Sequence, residues 1–96
     1  MATNAALSRV SVQELAVASG AAVHRRITPA GTSYDGDIIF ALCAHEGLAA
    51  PAIQVETLAV RVLEMAIERA VRLAVGRDGV AGLGDPGRGQ RPGDGA

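Results

Sequence analysis

The 96-residue chain has no lysine and no tryptophan, and cysteine, phenylalanine and tyrosine occur once each, as Cys43, Phe40 and Tyr34. A single thiol excludes an internal disulfide, which fits a reducing cytoplasm. Charge of one sign is missing too: nine basic and ten acidic side chains leave a formal net charge of −1. That balance removes the electrostatic case for nucleic acid or an anionic membrane as partner. No stretch approaches the ~20 apolar residues that span a bilayer. No basic-then-apolar signal opens the chain, so a cytoplasmic location is expected.

What is present is mostly small. Of the 49% apolar residues, 19 side chains are alanine, leaving 28 larger apolar or aromatic ones. The length is that of one small domain. A domain of this size buries only roughly 60% of its unfolded surface and is marginal alone. All nine basic residues are arginine, and with abundant Ala, Gly and Val this looks like the product of a GC-rich genome.

The chain divides by composition into residues 1–75 and a tail, 76–96. The tail holds eight glycines and two prolines, too little apolar area to offset its ordering entropy, and predicts disorder. Three arginines there are matched by three aspartates with no aromatic between them, so an Arg/Gly nucleic-acid segment is disfavoured. Residues 11–26 predict a helix, with Ser11 and Glu14 as a capping box and Leu15, Ala18, Ala22 and Val12 as its buried stripe. Gly20 weakens that helix, and Pro29 ends it. Residues 38–44 form a short apolar run behind an Asp-Gly turn signal and predict a buried strand. Ile38, Phe40, Leu42 and Ala44 would project to one side, and Ile39, Ala41 and Cys43 to the other. Residues 53–75 predict the longest helix, its apolar face carrying Leu58, Val62, Met65, Ala66, Ala70 and Leu73. A Glu68–Arg72 pair at i,i+4 would brace it, and Gly76 would stop it. Residues 2–7 read as the end of a further strand. The expected class is α/β or α+β.

Few residues suggest chemistry. Asp35 and Asp37 sit two apart around Gly36; in extended backbone they point the same way and could work as a pair. The same triplet is common turn chemistry, and spacing alone favours the turn. His24 stands beside Arg25 and Arg26 with no ligand partner one turn on. His45-Glu46 does not match a helical two-histidine zinc pattern. No metal site and no cofactor are expected. Cys43 lies in the apolar run, as an inert buried thiol would. The residues by themselves form no self-contained catalytic constellation.

Two segments nevertheless carry a family resemblance. Ala2-Thr3-Asn4-Ala5, followed by Leu7-Ser8 and a helix, resembles a strand end of the DmpA-like L-aminopeptidase/D-esterase family. The run Arg26-Ile27-Thr28-Pro29-Ala30-Gly31-Thr32-Ser33-Tyr34-Asp35-Gly36-Asp37, then Phe40-Ala41-Leu42, resembles the stretch that follows in that family. Its most specific part is Asp-Gly-Asp-x-x-Phe-Ala-Leu, and the resemblance spans residues 2 to 75. It implies a four-layer αββα sandwich, of which this chain would be the C-terminal part: helix, strand, helix and a truncated N-terminal strand. Members of the family cleave themselves into two chains, and the new N-terminal Ser or Thr attacks with its own amine as base. They release N-terminal residues from peptides, amides or esters and need no metal.

The segment bearing that nucleophile would precede the position matched by Met1, so the chain alone is expected to be inactive. Its partners would be the missing N-terminal chain of the same enzyme, a peptide or amide substrate, and further copies in a homo-oligomer. Asp37 matches an acidic position near the nucleophile and would orient groups there. Asp35, a Ser in one branch of the family, stays open between turn and site. Gly31 stands where the family has His, and Cys43-Ala44-His45-Glu46-Gly47 replaces a small-Thr-Gly segment. The alternatives are a non-catalytic interaction or structural subunit of the same fold, and a remnant of the ornithine acetyltransferase family, whose match in the Asp-Gly-Asp stretch is poorer.

Overall fold

The computed structural model describes residues 1–34 and 36–87. It is a small α+β arrangement of two helices and a two-stranded parallel sheet, in the order β1 (Ala2–Ala5), α1 (Arg9–Arg26), β2 (Leu42–Leu48), α2 (Ala52–Arg72). Two compact units divide within α2, one from Met1 to Met65 and one from Ala66 on. No helix among the described residues is long and apolar enough to cross a membrane.

Parallel strands cannot be joined by a tight turn, so β1 and β2 need a crossover, and α1 supplies it. The register sets Ala2 against Leu42, Thr3 against Cys43 and Ala5 against Leu48, with an irregularity between Thr3 and Ala5. The Leu42 amide donates to the Met1 carbonyl and the Ala6 amide to the Leu48 carbonyl, both at 2.9 Å, bracketing the ladder. At the irregularity the backbones close up: a Cβ at Gly47 would overlap the Asn4 carbonyl oxygen, so only glycine fits there.

Helix α1 starts a turn earlier than the capping box at Ser11 predicts. Ser8 is the N-cap, its hydroxyl accepting the Ser11 amide at 3.1 Å, and Glu14 takes no part. A serine three residues on sits where the box would hold a Glu or Gln, so the true cap carried no reciprocal signature. His24, Arg25 and Arg26 occupy the last turn, where positive charge suits the helix dipole. The buried face is Leu15, Ser19 and Ala22, with Ala18 and Val12 half-buried beside it. Ser19 enters this apolar stripe because its hydroxyl donates to the Leu15 carbonyl at 2.8 Å. The helix ends at Arg26 with Ile27 extended, two residues before Pro29.

The strand expected over 38–44 lies four residues later, at Leu42–Leu48. β1 pairs from Leu42 onward; ahead of it the run is held at Phe40, whose carbonyl accepts the Met1 amino terminus at 2.6 Å. Nor is the run buried: Ile38 and Phe40 are 70% and 71% exposed. The alternation holds all the same, with Ile39, Ala41 and Cys43 half-buried and their even-numbered neighbours exposed.

Helix α2 opens behind Pro51, whose carbonyl accepts the Gln54 and Val55 amides at 3.1 and 3.3 Å. It stops at Arg72 rather than at 75. The Glu68–Arg72 pair forms at 2.9 Å. The expected apolar face is not the buried one. Ala59 is buried and Val55 and Leu63 half-buried, whereas Leu58, Val62 and Met65 remain 62%, 56% and 53% exposed. That stripe has the right periodicity, but nothing in the Met1–Met65 unit covers it.

Residues 76–87 form turns held by backbone and side-chain hydrogen bonds. Arg77 and Val80 exchange backbone hydrogen bonds at 2.8 and 2.9 Å around an Asp78-Gly79 turn in which both φ angles are positive. The Asp85 carboxylate accepts the Gly76 amide at 2.6 Å and the Gly82 amide at 2.8 Å. One side chain thus satisfies the donors of a segment too glycine-rich to form a core. The disorder expected for the rest of the tail, 88–96, lies outside the described residues.

Replacing Ser8 by alanine is expected to cost about 1 kcal/mol, the usual value of an N-cap, while Glu14→Ala stays within about 0.5 kcal/mol. Chemical denaturation of both variants checks this, and the opposite ranking would return the cap to Ser11. Asp85→Ala is expected to speed hydrogen exchange at the Gly76 and Gly82 amides while α1 keeps its protection. Unchanged exchange at both glycines would show that the carboxylate does not hold this segment.

Candidate functional site

The residues between α1 and β2 form a loop closed on itself by Gly31. Its amide donates to Oδ2 of Asp37 at 3.0 Å, tying the two ends of a seven-residue segment together. Gly31 has φ of +66°, the left-handed region that glycine enters without penalty. The space a side chain would need there is taken: a Cβ at Gly31 would stand 2.8 Å from Cε1 and 3.2 Å from Nε2 of His24. An imidazole on one face of Gly31 and a carboxylate on its amide therefore meet at one residue.

Asp37 is exposed, and an anchored, solvent-facing carboxylate can accept hydrogen bonds from an amine or hydroxyl brought to it. Asp35 lies outside the described residues. His24, which no sequence pattern connected to this loop, joins it because α1 carries it back over the segment that follows Pro29. The signal available was the glycine itself, two residues after Pro29.

The same end of α1 is fastened to α2 through charge. Arg25 and Arg26 reach Glu64 at 3.6 and 4.0 Å, the carboxylate side chain only 16% exposed. The remaining candidates lie elsewhere. Thr3 accepts the Ala5 amide through its hydroxyl at 3.1 Å. The half-buried Cys43 thiol points at the Leu7 carbonyl at 3.6 Å. His45 and Glu46 are exposed on β2. No hydrogen bond connects Asp37 with Thr3, Cys43 or His24. Among the described residues no group of three or more His, Cys, Asp or Glu side chains could hold a metal ion.

A second feature is a slot of about 280 Å³ along β1. Residues Met1 to Ala5 form one wall, and Val55, Leu58, Ala59 and Val62 of α2 form the other. Thr3 and Asn4 are its only polar side chains, and no charged side chain lines it.

No family model, no curated protein and no solved structure matches this chain.

Gly31→Ala is expected to lower stability by about 1–2 kcal/mol, since an L-residue is forced into left-handed backbone, with the clash against His24 added. In a His24→Ala background the clash disappears and the loss shrinks to the backbone part. Denaturant midpoints of the four variants in this cycle give the coupling; a zero coupling would mean that the imidazole does not sit on Gly31.

Proposed function

We propose that the chain is the C-terminal part of a self-processing aminopeptidase of the DmpA-like type, inactive by itself. The observation that carries this is the unfinished sheet. The Asp-Gly-Asp-x-x-Phe-Ala-Leu stretch, residues 35–42, runs directly into β2 beside the Ala-Thr-Asn-Ala strand. Ahead of the ladder, which begins at Ala2 and Leu42, the Phe40 carbonyl accepts the Met1 amino terminus at 2.6 Å, and no residue of β1 lies opposite 38 and 39. A strand continuing β1 backwards past Met1 would pair with them, and in the αββα reading that strand opens with the nucleophile. Its hydroxyl would attack the carbonyl of an N-terminal residue, and its own amine would take the proton.

Asp37 acts here as a positioning residue. With one oxygen held by the Gly31 amide, it presents a fixed acceptor that can orient the ammonium or hydroxyl of the incoming terminus. The chemistry calls for neither metal nor cofactor. A second reading, an interaction subunit of the same fold without catalysis, is favoured by the apolar slot along β1. The ornithine acetyltransferase reading gains nothing from the geometry.

Hydrolysis of amino-acid p-nitroanilides and amides separates the two. The 96-residue chain is expected to show no turnover. Co-expressed with the first chain of a DmpA-like aminopeptidase, and extended by that enzyme's nucleophile strand, it is expected to gain activity that Asp37→Asn reduces about tenfold, equivalent to ~1.4 kcal/mol. Turnover by the chain alone that survives Thr3→Ala would overturn the placement of the nucleophile. A folded but inactive reconstituted complex would leave the interaction subunit standing.

A further inference from the structure

The Asp37 carboxylate is exposed, and the Gly31 amide holds its Oδ2 at 3.0 Å. A hydrogen bond open to water contributes little on balance. Glycine, moreover, has the widest choice of backbone angles of any residue. Left to itself, such a donor would turn away from the carboxylate. We infer that His24 prevents this: its imidazole fills the side-chain space of Gly31, denies that glycine the room to swing, and so fixes Asp37. His24 is then a positioning residue of the site.

The contact is specific to one ring. The three heavy atoms nearest the place of a Cβ at residue 31 are all from the His24 imidazole: Cε1 at 2.8 Å, Nε2 at 3.2 Å and Nδ1 at 3.9 Å. The ring therefore meets the glycine by the edge that lies between its two nitrogens. His24 belongs to the last turn of α1, and Gly31 lies in the loop that follows. Arg25 and Arg26 of the same turn pair with Glu64 of α2, whereas His24 turns to the loop.

The arrangement answers a conflict at position 31. Its φ of +66° calls for glycine, and glycine brings the freedom that a fixed donor must not have. A ring borrowed from α1 takes up that freedom without a side chain on the residue itself. Shape does this, not charge, because the glycine offers the ring edge only its backbone. The inference rests on the aminopeptidase reading only for what Asp37 does once it is positioned. That His24 positions it is a property of this chain alone.

Amide exchange with solvent, followed by NMR on the full chain, tests it, since exchange reports local opening. Asp37→Ala removes the acceptor and is expected to speed exchange at Gly31 about fivefold. His24→Ala is expected to speed it by a comparable factor with Asp37 still in place. The double variant should go no further than either single one, because both act on the same bond. His24→Phe, which keeps a ring, is expected to restore the lost protection. Unchanged exchange within α1 serves as the check that each variant is folded. Exchange at Gly31 that stays the same in His24→Ala, or rises equally in His24→Phe, would overturn the inference. In the reconstituted aminopeptidase, His24→Ala is expected to lower kcat about tenfold and His24→Phe to recover most of it. A loosened Gly31 with kcat unmoved would overturn the role as well. If the reconstituted complex with the unaltered chain shows no turnover, the aminopeptidase reading fails, and the exchange rates still decide the part played by His24.

Discussion

The parallel pairing of β1 with β2 is the constraint from which the rest of the Met1–Met65 unit follows. Because the strands run the same way, the chain must return to its starting end between them, and α1 with the loop after it is that return. The register then determines what is supported. With Ala2 opposite Leu42, residues 38–41 lie outside the ladder, held at Phe40 by the Met1 amino terminus, and Ile38 and Phe40 stay in solvent. With Ala5 opposite Leu48, the irregular stretch between demands a residue without Cβ at position 47, and glycine is there. A shift of one residue would turn every side chain of β2 to the other face. The half-buried Cys43 would then trade places with exposed Leu42.

The loop between helix and strand is organised by a glycine rather than by a charged residue. Gly31 accommodates an imidazole on one side and gives its amide to a carboxylate on the other. Neither contact would survive in this form if the position carried a side chain in the left-handed region. The loop is also moored from behind, where Glu64 gathers Arg25 and Arg26 at the end of α1. Ion pairs this open contribute only about 0–1 kcal/mol each. Their value is geometric: they tie the C-terminal end of α1 to α2.

Much of the architecture was legible in the residues, because periodicity reports conformation. Alternation in 38–44 announced extended backbone, and the spacing of Leu15 and Ala22 announced the inner face of α1. Periodicity does not report register or cover, and the expectations failed there. The strand moved to Leu42–Leu48 because its partner begins at Ala2, a long-range fact no local window contains. The Leu58, Val62, Met65 stripe was recognised as an apolar face, yet burial needs an opposing surface and the unit provides none. Ser8 was missed as the cap because Ser11 and Glu14 made the better-known pattern one turn away. The hydrogen bonds within residues 76–87 have no signature in composition. Asp85 satisfies two backbone amides at long reach, and composition counts an aspartate in a glycine-rich tail as merely polar. For the site, the spacing of the Asp-Gly-Asp triplet favours a turn and the family resemblance is what points to Asp37; its hydrogen bond from Gly31, and the His24 ring beside that glycine, depend on how α1 lies over the loop.

The distribution of large and small apolar residues completes the argument. The buried apolar side chains among the described residues are Ala5, Leu15, Ala22 and Ala59, so leucine appears in the interior once and alanine three times. Alanine packs closely but removes little area from water, and at about 25 cal/mol per Å² such an interior stabilises weakly. The bulky side chains that would stabilise strongly, Leu48, Leu58, Val62, Met65, Ile38 and Phe40, are each more than half exposed. Covering one of them is worth roughly 1.5–3 kcal/mol, against a total stability of only about 5–15 kcal/mol for an ordinary domain. Most of the bulky apolar side chains of the Met1–Met65 unit are therefore left in solvent.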